Sequence, residues 1–168
     1  MGSHCPGIIR IGGKLKNKDV KKFCKLLSES YVSIEYGNDK DFTPTNKRDL
    51  LQGCTDGHLI LTNDQASNGR FEMLEEGCRK MGLSYDRHSD PVYEYNAEGS
   101  VFRYRGKGKK PFTYQFSAGD GFYDVLVDRG IIELALMSLE QKKVAEAYDI
   151  LRKVCPLIPP LPMFEVVP

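Results

Sequence analysis

This chain lacks most of the features that announce a chemistry. Its longest apolar stretches fall well short of the roughly 18 residues that suggest a membrane span, so no membrane association is expected. A dominant charge is missing too. The 24 basic and 23 acidic residues leave a net charge of +1, too little to draw the whole molecule to nucleic acid or an anionic membrane. Any such attraction has to come from local patches. The opening MGSHCPG has no basic n-region and no apolar h-region, so it does not read as a secretory signal. Pro6 stands where a myristoylation signal wants Ser or Thr. Gly2-Ser3-His4 has the composition of an expression scar and is left out of the functional reading.

Cysteine is sparse and scattered. Cys5, Cys24, Cys54, Cys78 and Cys155 are odd in number and form no CxxC pair. With His4-Cys5 set aside, Cys54 and His58 are the one close Cys/His pair, and no second pair at zinc spacing answers it. The expectation is therefore reduced thiols in a cytoplasmic protein, with no metal and no cofactor. Cys24 and Cys78 fall in apolar-periodic segments, where packing explains them better than reactivity does. Catalytic signatures are missing as well. The glycine pair that ends IIRIGG lacks the Gly-Lys-Ser/Thr of a phosphate loop and the G-x-G-x-x-G of a dinucleotide site. No nucleophile elbow, HExxH or kinase signature is present.

What the chain does contain is a repeated pattern. IIRIGG reads as a strand, and NKDVKKFCKLLSES as a helix capped by Asn17 with Val20, Phe23 and Leu27 on one face. YVSIEY alternates as a strand does, GNDKDFTPTN is turn chemistry, and KRDLLQGC suggests a short helix. The pattern then returns: HLILTN as a strand, NGRFEMLEEGCRKMG as a helix stopped by Gly82, and LSYDRHS as a further strand. At an offset of 51 residues, Ile8 and Ile9 fall on Leu59 and Ile60, Val20 on Phe71, Phe23 on Leu74 and Leu27 on Cys78, without a gap. Two βαβ units in tandem form a four-stranded antiparallel sheet backed by two helices. The fold expected is thus α+β and ferredoxin-like, with a small parallel α/β sheet as the competing assembly.

Beyond these units PVYEYN, SVFRYR and FTYQFS read as a β-meander, and residues 131–154 as one long helix. Its apolar stripe comprises Ile132, Leu136, Leu139, Val144, Ala147, Leu151 and Val154. Residues 7–155 are read as one domain. The proline-rich tail, 156–168, is not helical and is expected to pack along that domain, since its apolar side chains are otherwise exposed.

Three surfaces are candidates for function. VFRYRGKGKKPFTYQF carries five basic residues and no acid, interleaved with aromatics. Strand alternation separates Phe102 and Tyr104 from Arg103 and Arg105, whereas a single-strand-binding platform needs aromatics and cations together. The reading is an amphipathic hairpin with Tyr104 and Tyr114 on one aromatic face. Arg103, Arg105, Lys107, Lys109 and Lys110 are the candidate anion- or partner-binding residues. Lys16, Lys18, Lys21, Lys22 and Lys25 on the first helix are read as a solvated face. The densest polar cluster holds Asp86, Arg87, His88 and Asp90. In strand register Asp86, His88 and Asp90 share a face, a spacing suited to a divalent metal or to acid–base work. No second motif completes that site, so a hydrogen-bonded strand end is the simpler account.

Residues 69 to 105 resemble a segment of small uncharacterised proteins from phages, plasmids and bacterial genomes, which share an F-E-x-L-E helix, a D-R-x-S-D turn and Y-E-Y. The likeness spans under a quarter of the chain and implies no chemistry and no catalytic residue. It implies a mobile-element origin and a role in binding host or competitor components. The function expected is an intracellular, non-enzymatic protein-binding or regulatory module, with an inhibitor encoded by a mobile element as one form of it. The alternatives are a nucleic-acid-associated protein using the lysine tip, and a metal-dependent enzyme built on Asp86, His88 and Asp90.

Overall fold

In the computed structural model, residues 4–35, 37, 40–91, 96–119 and 122–168 are described. The chain is α+β. Its sheet of seven strands comprises β1 (His4–Lys16), β2 (Cys54–Thr55), β3 (His58–Ser67), β4 (Ser84–Ser89), β5 (Glu98–Arg103), β6 (Phe112–Ser117) and β7 (Phe164–Val167). Among the described residues five α-helices accompany it: α1 (Val20–Glu29), α2 (Lys47–Gln52), α3 (Glu72–Met81), α4 (Arg129–Glu140) and α5 (Val144–Val154).

The spatial order is β2-β3-β1-β4-β5-β6, antiparallel throughout, and β7 adds to β1 in parallel. β1 is therefore the axis of the molecule. Its first part lies between β3 and β4, with Ile9 opposite Leu61 on one side and Arg87 on the other. Its last part, from Gly13, pairs with β7 instead. The change of partner depends on glycine. A Cβ on Gly12 would lie 1.8 Å from the Pro162 carbonyl oxygen, and Gly13 has φ +112°, a left-handed value that side chains disfavour.

Period-two alternation aims Ile9, Ile11, Leu59, Leu61, Tyr85 and Phe102 at one side of the sheet. Helices α1 and α3 cover that side with Val20, Phe23, Cys24, Leu27, Leu74 and Cys78. This is the main core. β1 and β3 are adjacent in the sheet, and both helices lie on one face of it. YVSIEY contributes one antiparallel bridge, Ser33 to Thr62, not a full strand, and Tyr36 lies outside the described residues. Asn17 does not cap α1: it opens a 3-10 turn, Asn17–Asp19, and α1 begins at Val20.

The second half departs further from expectation. Residues 92–95 of PVYEYN, including Glu94, lie outside the described residues, and the meander among the described residues is β4-β5-β6. The expected single helix over 131–154 is two helices, α4 and α5, broken at residues 141–143, where Lys142 takes φ +61°. Folding back packs α4 against α5, and Ala135 and Ser138 on one helix and Ala147 on the other are buried. The tail crosses the sheet side opposite α1 and α3, where Ile158 joins a small cluster of Val101, Phe116 and Ala118. Phe164 then enters the main core beside Phe23, ring centroids 6.1 Å apart.

Candidate functional site

The Asp86–Asp90 cluster is divided by the pleat of β4. Arg87 faces the helices and is fully buried, where its Nη1 donates to the Gly69 carbonyl at 3.2 Å and its Nε lies 3.1 Å from Glu75 Oε1. Its Nη2 donates to Glu98, which also accepts from Arg70 at 3.2 Å. Tyr85 donates to Glu75 at 3.0 Å. Burial alone raises the Glu98 pKa, but hydrogen bonds and charge from Arg87 and Arg70 outweigh it and leave the carboxyl below its usual range. Burial, with Glu75 beside it, pushes the Tyr85 phenol up.

Asp86 and His88 point to the other side. Asp86 accepts from Arg103 with both oxygens, Nη1–Oδ1 at 2.5 Å and Nη2–Oδ2 at 3.0 Å, and from the Tyr123 hydroxyl at 2.5 Å. Burial first, then the Asp86 hydrogen bond, pushes Tyr123 up to about 12. His88 Nε2 lies 3.0 Å from the Gly119 carbonyl, and its Nδ1 lies 4.0 Å from Asp90 Oδ1. Asp86 is thus occupied by a guanidinium and a phenol, and His88 by a backbone carbonyl. Among the described residues no group of three His, Cys, Asp or Glu side chains is placed to hold a metal ion.

The basic hairpin is arranged differently from its sequence pattern. Phe102 stands opposite Thr113, whereas Phe112, Tyr114 and Phe116 stand opposite Arg103, Val101 and Gly99. The aromatics of the two strands therefore lie on opposite faces, and Tyr104 lies beyond the end of β5. The eight residues between the strands set this register, and a slip of one residue inverts every side chain. Arg103 is 3% exposed and is held by Asp86 and by the Pro159 carbonyl at 2.8 Å, so it belongs to the interior and not to a binding surface. Arg105 lies over the Phe112 ring at 5.7 Å. Lys107, Lys109 and Lys110 form an exposed tip between Gly106 and Pro111.

The α4–α5 hairpin carries an uncovered apolar face. These helices pack chiefly against each other, and Tyr114 anchors α5 by donating to the Val154 carbonyl. Ile132, Leu136 and Leu139 follow i, i+4, i+7 spacing on α4, as do Val144, Tyr148 and Leu151 on α5. Leu136 and Leu139 come one residue after the buried Ala135 and Ser138, and Tyr148 one residue after Ala147. In antiparallel helices that equal rotation puts both rows on the same side of the hairpin. All six are exposed, Leu136 and Tyr148 to 52% and Val144 to 64%. Five of the six belong to the apolar stripe read from the sequence, Tyr148 does not, and the buried Ala147 does; exposure is not legible there, because spacing identifies an apolar face without naming what covers it.

Comparison with protein-family models, with curated proteins and with solved structures returned no match.

Proposed function

We propose that this chain is a protein-binding module that works through the apolar face of its α4–α5 hairpin, and that the partner covering this face is a second copy of the chain. The exposure of six large apolar side chains on one side of the hairpin carries the reading. A helix face of that composition is stable in water only when something covers it. A standard interface takes roughly 800 Å² per partner, with an apolar centre and a polar rim, and the six side chains supply such a centre. Both rims carry charge: Glu140 and the Arg129–Glu133 ion pair flank the apolar row on α4, and Asp149 and Arg152 flank it on α5. A two-fold axis that sets α4 over the other copy's α5 places Glu140 of one copy on the side of Arg152 of the other.

The order β3-β1-β4, with α1 and α3 on one face and Ser33 bridging to β3, supports a ferredoxin-like core to which the hairpin is appended. Five cysteines without disulfides fit a reducing, cytoplasmic setting. The resemblance to mobile-element proteins supports a regulatory role by association alone.

Sedimentation equilibrium tests the proposal. A dimer is expected to form between about 1 and 200 µM, with Leu136→Glu and Tyr148→Glu each giving a monomer of unchanged circular dichroism. A wild-type chain that stays monomeric across that range would overturn it, as would a dimer indifferent to both substitutions.

A further inference from the structure

We infer that a second surface, distinct from the hairpin, binds single-stranded nucleic acid: a basic cleft between the end of β1, the start of α1 and the end of α3. The cleft has a volume of about 620 Å³, within the few hundred to about a thousand that ligand sites span. Four lysines line one wall. Lys14 and Lys16 alternate outward on β1 while Leu15 enters the core, Lys18 follows in the 3-10 turn, and Lys22 stands one helical turn on. All four are exposed, and none makes an ion pair with a described residue. Arg79 and Lys80 line the opposite wall, already paired with Glu75 and Glu76. Asp19 is the one acid among the lining residues.

Tyr104 supplies the second requirement. Having left β5, it donates its backbone N–H to Ser84 Oγ at 3.0 Å, and its ring lies over Gly82. Gly82 is the left-handed cap of α3, with φ +72°, and a Cβ there would come within 3.0 Å of the ring. The ring is 42% exposed on the same cleft as the lysines. Single-strand sites combine a cationic groove with an aromatic face on which a base stacks, because every base has a π-face and every linkage a charge. Within the hairpin Arg105 already lies over the Phe112 ring; the fold brings Tyr104 to a larger group of cations from the other end of the chain. A duplex, whose bases are already stacked, offers the ring nothing, so the single strand is the fitting ligand.

Fluorescence anisotropy with a labelled 15-nucleotide oligothymidylate, against the same label on a duplex, reads the site. Saturable binding to the single strand is expected at low salt, tighter than to the duplex. Replacing Lys16, Lys18 and Lys22 together by alanine should flatten the slope of log affinity against log salt by about 2, at roughly 0.7 per lost phosphate contact. Tyr104→Ala should weaken binding roughly 5- to 150-fold, and Tyr104→Phe should retain it. Thermal melting of each variant verifies that the fold persists. Absent binding, equal affinity for the duplex, displacement by polyglutamate as effective as by the oligonucleotide, or a lysine triple variant with an unchanged slope would each overturn the inference. A monomeric Leu136→Glu chain that still binds separates this site from the hairpin.

Discussion

Arg103 and Asp86 form a two-pronged ion pair across β4 and β5, buried on both sides, at 2.5 and 3.0 Å. The pair also joins distant parts of the chain. Tyr123 donates to Asp86 from the loop after β6, and Arg103 Nε donates to Pro159 in the tail. Removing one partner leaves an uncompensated charge where water cannot reach it. Arg103→Ala is therefore expected to cost about 3–5 kcal/mol in urea unfolding, whereas replacing both partners by apolar residues should cost much less. A loss under about 1 kcal/mol for Arg103→Ala would mean that the pair is solvated.

The Arg87–Glu98 contact predicts a pH dependence. Glu98 has a folded-state pKa below its unfolded one, so its carboxylate contributes stability that is present above the unfolded value and lost as pH falls through the folded value. The window begins near the ordinary glutamate value of about 4.3 and extends below it. In acid-titrated thermal melts Glu98→Gln should remove part of that slope while changing the neutral-pH slope little. An acid limb identical to wild type would refute the assignment. Tyr123 gives the mirror case. Its raised value leaves its contribution intact below about pH 10 and lost as pH climbs toward about 12, and Tyr123→Phe should remove that loss.

The β5–β6 register separates the aromatics by role. Phe102 is 6% exposed and stacks on Tyr85 with ring centroids 5.4 Å apart, so Phe102→Ala should cost about 3–5 kcal/mol. Replacing Lys107, Lys109 and Lys110 together by alanine should leave the melting temperature almost unmoved, since solvated charges usually count for under about 0.5 kcal/mol. Tyr104→Ala, on a half-exposed ring, should fall between them. Equal losses at Phe102 and Tyr104 would show that both sit on one buried face.

The local sequence by itself determined the α+β class, the buried faces of α1 and α3 and the Gly82 stop of α3, though not the start of α1. Val20, Phe23 and Leu27 on α1, and Phe71, Leu74 and Cys78 on and just before α3, recur at the 51-residue offset and are all buried. Helical spacing tolerates a small error because neighbouring positions share a face. Strands do not. The same offset pairs Ile8 with Leu59, yet the core takes Ile9 and Ile11 against Leu61 and Leu59, one residue out of step. Register, which a period of two cannot average over, was decided by how the strands pair in the folded sheet. That decision placed Arg103 inside, divided Arg87 from Asp86 and His88, and sent the aromatics of β5 and β6 to opposite faces. The turn at Lys142 similarly depended on what each helix face could meet. The basic cleft was beyond any local reading, because Lys14–Lys22 and Tyr104 lie some eighty residues apart and become neighbours only through the pairing of β1 with β4 and of β4 with β5.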